Sequence, residues 1–134
     1  MRFIDTNLFL RYLTNDDEEK AQKVLRLLKR VEKNEEKVTT SSLVMFEVIF
    51  TLESFYNTPR QDIRKFLTPI LNLRGLKLAD KEVFRKAMNI YVDKKKLSFA
   101  DAFNVVFAIK GGVKEVYSYD TDFDKLEGIK RVTP

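Results

Sequence analysis

Four carboxylates stand at chemically conspicuous places in this chain. They are Asp5 in Phe3-Ile4-Asp5-Thr6-Asn7, Glu47 in Val44-Met45-Phe46-Glu47-Val48, Asp101 in Ser98-Phe99-Ala100-Asp101-Ala102-Phe103, and Asp120 in Ser118-Tyr119-Asp120-Thr121-Asp122-Phe123. Most of them follow or interrupt apolar runs, where a charge is costly unless it is paired or binds a cation. The chain has no histidine and no cysteine, so imidazole and thiol chemistry are excluded. A cluster of carboxylates repels itself at neutral pH, and a divalent cation relieves that repulsion. All-oxygen ligands favour Mg²⁺ or Mn²⁺ over zinc. Mg²⁺ usually keeps several waters, one of which could serve as nucleophile in an in-line attack on phosphorus.

Each acid also has a plain structural role open to it. Asp101 occupies the acidic position of a Ser-x-x-Asp capping box. Glu47 could be a surface glutamate, although Phe46, Val48, Ile49 and Phe50 surround it. Asp120, Asp122 and Asp124 lie where a turn is expected, and Asp122 could cap a short helix there. Asp5-Thr6-Asn7 can form an Asx turn, and Thr6 and Asn7 could cap a first helix or support a metal through water.

The elements that must position these groups read as an alternation of strands and helices. Residues 1–5 predict a short buried strand ending at Asp5, and residues 6–13 a brief helix. A second helix begins at Asp16 and Asp17, with Ala21, Val24, Leu25, Leu28 and Val31 at helical spacing, and ends in the charged run Glu32 to Lys37. Val38-Thr39-Thr40 suits a strand. Ser41 or Ser42 caps a helix from Leu43 to Phe55. Pro59 opens another toward Leu73, which Pro69 should kink or end early. Leu76-Lys77-Leu78 is a strand after Gly75, and Asp80 caps a helix carrying Val83, Phe84, Ala87, Ile90 and Tyr91. After the basic Lys94-Lys95-Lys96 loop, Ser98 starts a helix that is apolar nearly all round and should therefore be buried. Gly111-Gly112 ends it. A strand over Val113 to Ser118, a helical turn over Thr121 to Leu126 and a last strand over Ile129 to Val132 complete the pattern.

This alternation predicts a single α/β domain over residues 1–134 with a mostly parallel sheet. In such a sheet ligands bind beyond the carboxyl ends of the strands. Asp5 ends a strand, Asp120 ends another or lies just past it, Asp101 lies in the first turn of its helix, and Glu47 can reach forward from a second turn, so all four are expected at one rim. A net charge of +5 permits a polyanionic partner. Arg11, Arg60, Arg64, Lys65 and Lys94 to Lys96 are candidate phosphate contacts. No apolar run approaches a bilayer span, and the N-terminus enters a strand pattern directly, so neither membrane anchor nor leader is expected. The absence of cysteine fits a cytoplasmic protein.

On these motifs, their order and the chain length, the sequence resembles the PIN-domain proteins over essentially its whole length. The likeness is to the small toxin ribonucleases of the VapBC toxin–antitoxin type. The resemblance implies a three-layer α/β/α fold with a parallel sheet, one or two Mg²⁺ or Mn²⁺ ions, and endonucleolytic cleavage of RNA. It carries Asp5, Glu47, Asp101 and Asp120 over as the acidic quartet, with Asp122 as a further metal-site acid. Ser118 stands where the family usually has threonine, and keeps the hydroxyl. The resemblance also implies a homodimer and a small antitoxin partner. The antitoxin's apolar segment is expected near Leu8, Phe9, Tyr12 and Phe55, with a cation directed at Asp5, Glu47 and Asp101.

The alternative is a catalytically silent PIN-like module that binds RNA or protein. An aspartate-phosphorylating protein fits less well. A haloacid dehalogenase-type phosphatase wants an acid where Asn7 stands, and a receiver wants a pair of acids at the first strand end, where there is only Asp5.

Overall fold

Capping side chains and apolar spacing fix the helices of this chain, and the strands between them are short. The computed structural model describes all 134 residues, which fall into two units, Met1–Lys81 and Glu82–Pro134. The first runs β1 (Arg2–Phe3), α1 (Thr6–Thr14), α2 (Glu18–Glu32), β2 (Val38–Thr39), α3 (Ser42–Ser54), α4 (Arg60–Leu71) and β3 (Leu76–Lys77). The second holds α5 (Lys81–Asp93), whose first residue closes the first unit, then α6 (Phe99–Lys110), β4 (Glu115–Tyr117), a 3-10 helix (Thr121–Lys125) and β5 (Lys130–Val132). No helix is long and apolar enough to cross a membrane.

In the first unit the strands pair in parallel in the order β1-β2-β3, with Arg2 opposite Val38 and Val38 opposite Leu76. Being an edge strand explains why β1 is shorter and less buried than the sequence suggests. Arg2 and Phe3 are exposed, and only Ile4 enters the core. Gly75 is a point of close approach. Its N–H donates to the Val31 carbonyl (3.0 Å) and its carbonyl accepts from Val38 N–H (2.9 Å). A Cβ there would collide with the Glu36 carbonyl oxygen and stand 2.9 Å from that of Val31. Helix α4 passes through Pro69 but ends at Leu71, before the expected Leu73. Proline withdraws the donor for the Lys65 carbonyl, so the last turn is weakened.

In the second unit α5 and α6 pack through aromatic rings: Phe84 stacks on Phe99 (5.9 Å between centroids) and Tyr91 meets Phe99 edge-on (5.6 Å). Asp80 adopts φ 63°, not the extended backbone of an ordinary N-cap, and α5 starts directly after it. Helix α6 is not buried all round as expected. Phe99, Ala102, Phe103, Val105 and Val106 are buried, but Phe107 is 56% exposed. One apolar stripe satisfies the core, and Phe107 and Ile109 lie outside it, on different sides of the helix. Gly112, at φ +82°, turns the chain out of α6. Strand β4 is three residues long and pairs only with β5, in parallel, with Val116 opposite Arg131.

Candidate active site

Asp5 projects from a strand end that is fixed on both backbone groups of the preceding residue. Ile4 N–H donates to the Thr39 carbonyl (2.8 Å), and the buried Thr40 hydroxyl donates to the Ile4 carbonyl (2.8 Å). Asp5 itself is exposed and is the N-cap of α1, its Oδ1 accepting from Thr6 N–H at 2.8 Å.

Glu47 is also exposed, although Val44, Met45, Val48 and Ile49 around it on α3 are buried. Helix α3 starts where it does because the Ser41 hydroxyl accepts from Val44 N–H (3.1 Å). The buried Thr6 hydroxyl donates to Glu47 Oε2 at 2.5 Å. Thr6 therefore gathers two of the candidate acids, Asp5 through its N–H and Glu47 through its side chain. It caps nothing, because Asp5 takes that position.

In the second unit Ser98 caps α6, its Oγ accepting from Asp101 N–H at 3.1 Å. The Asp101 carboxylate does not return the bond that a capping box would require and makes no hydrogen bond or ion pair. It opens on a recess of about 270 Å³ shared with Asn104, Tyr117 and Ser118. Ser118 Oγ accepts from Asp120 N–H (3.0 Å), and Asp120 Oδ1 accepts from Asp122 N–H (2.9 Å). The cap of the 3-10 helix is thus Asp120, not Asp122. Asp101 and Asp120 are both related to Ser118, the first across a recess and the second through the backbone. Asp122 is half-buried and lines a different recess, with Asp93, Lys94, Lys95, Lys96 and Lys125.

Arg131 on β5 braces this region. Its Nε and Nη2 donate to Asp124 (2.9 and 3.2 Å), and Nη1 donates to the Ser118 carbonyl (3.2 Å). The bonds to Asp124 are the main cause that raises the guanidinium pKa and keeps it charged.

None of Asp5, Glu47, Asp101, Asp120 or Asp122 forms a salt bridge. Asp5 and Glu47 share Thr6 as donor, Asp101 shares a recess with Ser118, which Asp120 N–H bonds, and no group of three or more acids is assembled that could hold a metal ion. Carboxylate oxygens are the only side-chain anions available, and that donor set fits a hard divalent cation.

Sequence reasoning missed two supporting residues. Thr40 holds the strand end under Asp5 through a partner 36 residues away, which no local pattern displays. Asn104 shares the Asp101 recess. It lies three residues on, on the same helix face, and a polar residue interrupting an apolar helix at that spacing was a usable signal.

The PIN domain family model matches residues 2–129. The chain is 32% identical over 134 residues, all of this chain and 97% of the relative, to a VapC ribonuclease of Aquifex aeolicus (strain VF5). Among solved structures it resembles Mycobacterium tuberculosis VapC20, described as a sarcin–ricin-loop-cleaving toxin. That likeness has 20% identity, full coverage of both chains and a TM-score of 0.42. Helices alternating with parallel strands, and a family model that runs through nearly all of them, carry one conclusion: the chain belongs to the PIN-domain family, alongside the VapC ribonucleases.

Proposed function

We propose that this protein is a metal-dependent endoribonuclease, the toxin of a toxin–antitoxin pair, working as a single nuclease domain over residues 1–134. The reading rests on the full-length relation to a VapC ribonuclease, and one geometric observation carries it. The Asp101 carboxylate is left without a partner although its helix is already capped by Ser98. Its charge suits the N-terminal end of the helix, but no donor binds its oxygens, which stay open to a ligand.

Asp5, Glu47, Asp101 and Asp120 would hold Mg²⁺ or Mn²⁺, with Asp122 assisting. The cation would supply Lewis acidity toward a phosphodiester and offset the charge that develops on its oxygens. The chain's own residues do the positioning. Thr6 orients Glu47, Thr40 fixes the strand end beneath Asp5, and Ser118 fixes the backbone at Asp120. Lysine and arginine side chains hold the RNA strand through its phosphates.

The same reading includes a homodimer, a small antitoxin and, given the absence of cysteine, a cytoplasmic location. Phe9 cannot serve the partner as the sequence suggested, because it is fully buried. The apolar groups that α3 and its end offer to a partner are Leu43, Phe50 and Phe55, each more than two-thirds exposed. The competing reading is a silent PIN-like module, and it draws on the absence of any assembled group of three acids.

The test is cleavage of purified RNA with Mg²⁺ or Mn²⁺, alongside titration of either ion into the Asp101→Asn protein. The ribonuclease reading expects metal-dependent cleavage that Asp101→Asn removes, with weakened metal binding. Unchanged metal binding and no cleavage by the native chain would select the silent module.

A further inference from the structure

We propose that the recess between the Lys94–Lys96 turn and the 3-10 helix is a phosphate-binding subsite for the RNA strand, a role that rests on the ribonuclease reading. The recess has a volume of about 270 Å³ and is lined by Lys94, Lys95, Lys96 and Lys125, with Asp93 and Asp122 the acids among them. A water occupies about 30 Å³ in the liquid, so a phosphate group and its solvent have room.

Lysines outnumber carboxylates here, and Lys95, Lys96 and Lys125 form no ion pair even though two carboxylates line the same recess. Four ammonium groups against two carboxylates leave a local positive excess, and an anion relieves it.

The backbone that carries three of these lysines is held in place. Lys94 N–H donates to the Ile90 carbonyl (2.7 Å) and Leu97 N–H to the Lys94 carbonyl (3.0 Å). Leu97 is buried in a cluster with Phe123 of the 3-10 helix, so packing holds the two walls of the recess side by side.

The residue types suit phosphate. Lysine binds it as a compact point charge, and the cations lining the recess are all lysines. The location is also apt. Asp122 lines the recess, and its N–H is bonded to the candidate catalytic Asp120. A phosphate seated here places the neighbouring stretch of strand beside Asp120.

The test uses the full chain in chelator, so that binding is read without cleavage. Affinity for a labelled single-stranded RNA oligonucleotide is measured against salt for the native protein and for Lys95→Ala/Lys96→Ala/Lys125→Ala. Three lost contacts should lower the slope of log affinity on log salt by about 2, so between about 50 and about 200 mM salt the native protein loses about fifteen-fold more affinity than the variant. The triple arginine variant should restore most of the slope, and both variants should melt with the native protein. Affinity and slope unchanged in the alanine variant overturn the subsite, including where that variant instead loses binding to the antitoxin. If the alanine variant binds as the native chain does and both cleave RNA when metal is restored, the subsite fails alone. A native chain that neither binds nor cleaves RNA overturns the ribonuclease reading with it.

Discussion

Replacing Thr6 with valine should separate positioning from stability. The substitution keeps the side-chain shape, keeps the N–H that Asp5 accepts, and deletes only the hydroxyl that donates to Glu47 Oε2 at 2.5 Å. A hydrogen bond to a charged group contributes about 1.5–3 kcal/mol. The exposure of Glu47 puts this one at the lower end, and the added methyl at a buried site returns about 0.8 kcal/mol. A net loss of about 1 kcal/mol follows, and the melting temperature should fall by about 3–5 °C. Against a total stability of about 5–15 kcal/mol, such a loss leaves the chain more than 99% folded. A purely structural threonine would therefore leave cleavage unchanged. If Thr6 orients Glu47, loss of placement should slow cleavage by about 10²-fold. Initial rates on a fluorogenic RNA, paired with thermal unfolding of the same preparation, read both quantities, and Thr6→Ser should recover most of the rate. Native-rate cleavage by Thr6→Val, or a Thr6→Ser protein as slow as the valine one, refutes the positioning role.

Asp101→Asn should abolish cleavage while lowering stability by no more than about 1 kcal/mol, because Ser98 makes the cap and only the first-turn charge is lost; a melting curve beside a cleavage assay checks both. Activity should vanish in excess EDTA and return with Mg²⁺ or Mn²⁺ but not with zinc; cleavage persisting in chelator, after removal of contaminating nuclease, would rule out the metal mechanism. Gly75→Ala should cost about 3 kcal/mol, read as a lower urea midpoint, because its methyl meets two backbone carbonyl oxygens that cannot move without disturbing α2 and the chain entering β2.

The helices were legible because their ends are written locally. Ser41 and Ser98 cap within three residues of themselves, and Gly112 and Pro59 act through their own backbone restrictions. The strands were less so. A strand of two or three residues carries too few positions for period two to declare itself, and Phe3 on an edge strand is exposed where an apolar run predicts burial. Helix α6 failed for the opposite reason: its composition is apolar on every face, so periodicity could not say that Phe107 would stay outside. The candidate acids stand out in the sequence by their setting beside apolar runs. Thr6 stands out there too, but its bond to Glu47 across 41 residues does not, nor does that of Thr40 to Ile4 across 36. Such bonds are products of the fold and leave no trace in neighbouring residues.

The division at Lys81 and Glu82 has a consequence for handling the gene. Asp5 and Glu47 lie on one side of it, Asp101 and Asp120 on the other. Neither stretch encodes the full set of acids proposed for cleavage. A gene divided at this boundary would therefore carry half of the proposed acids on each piece, and a complete set on neither.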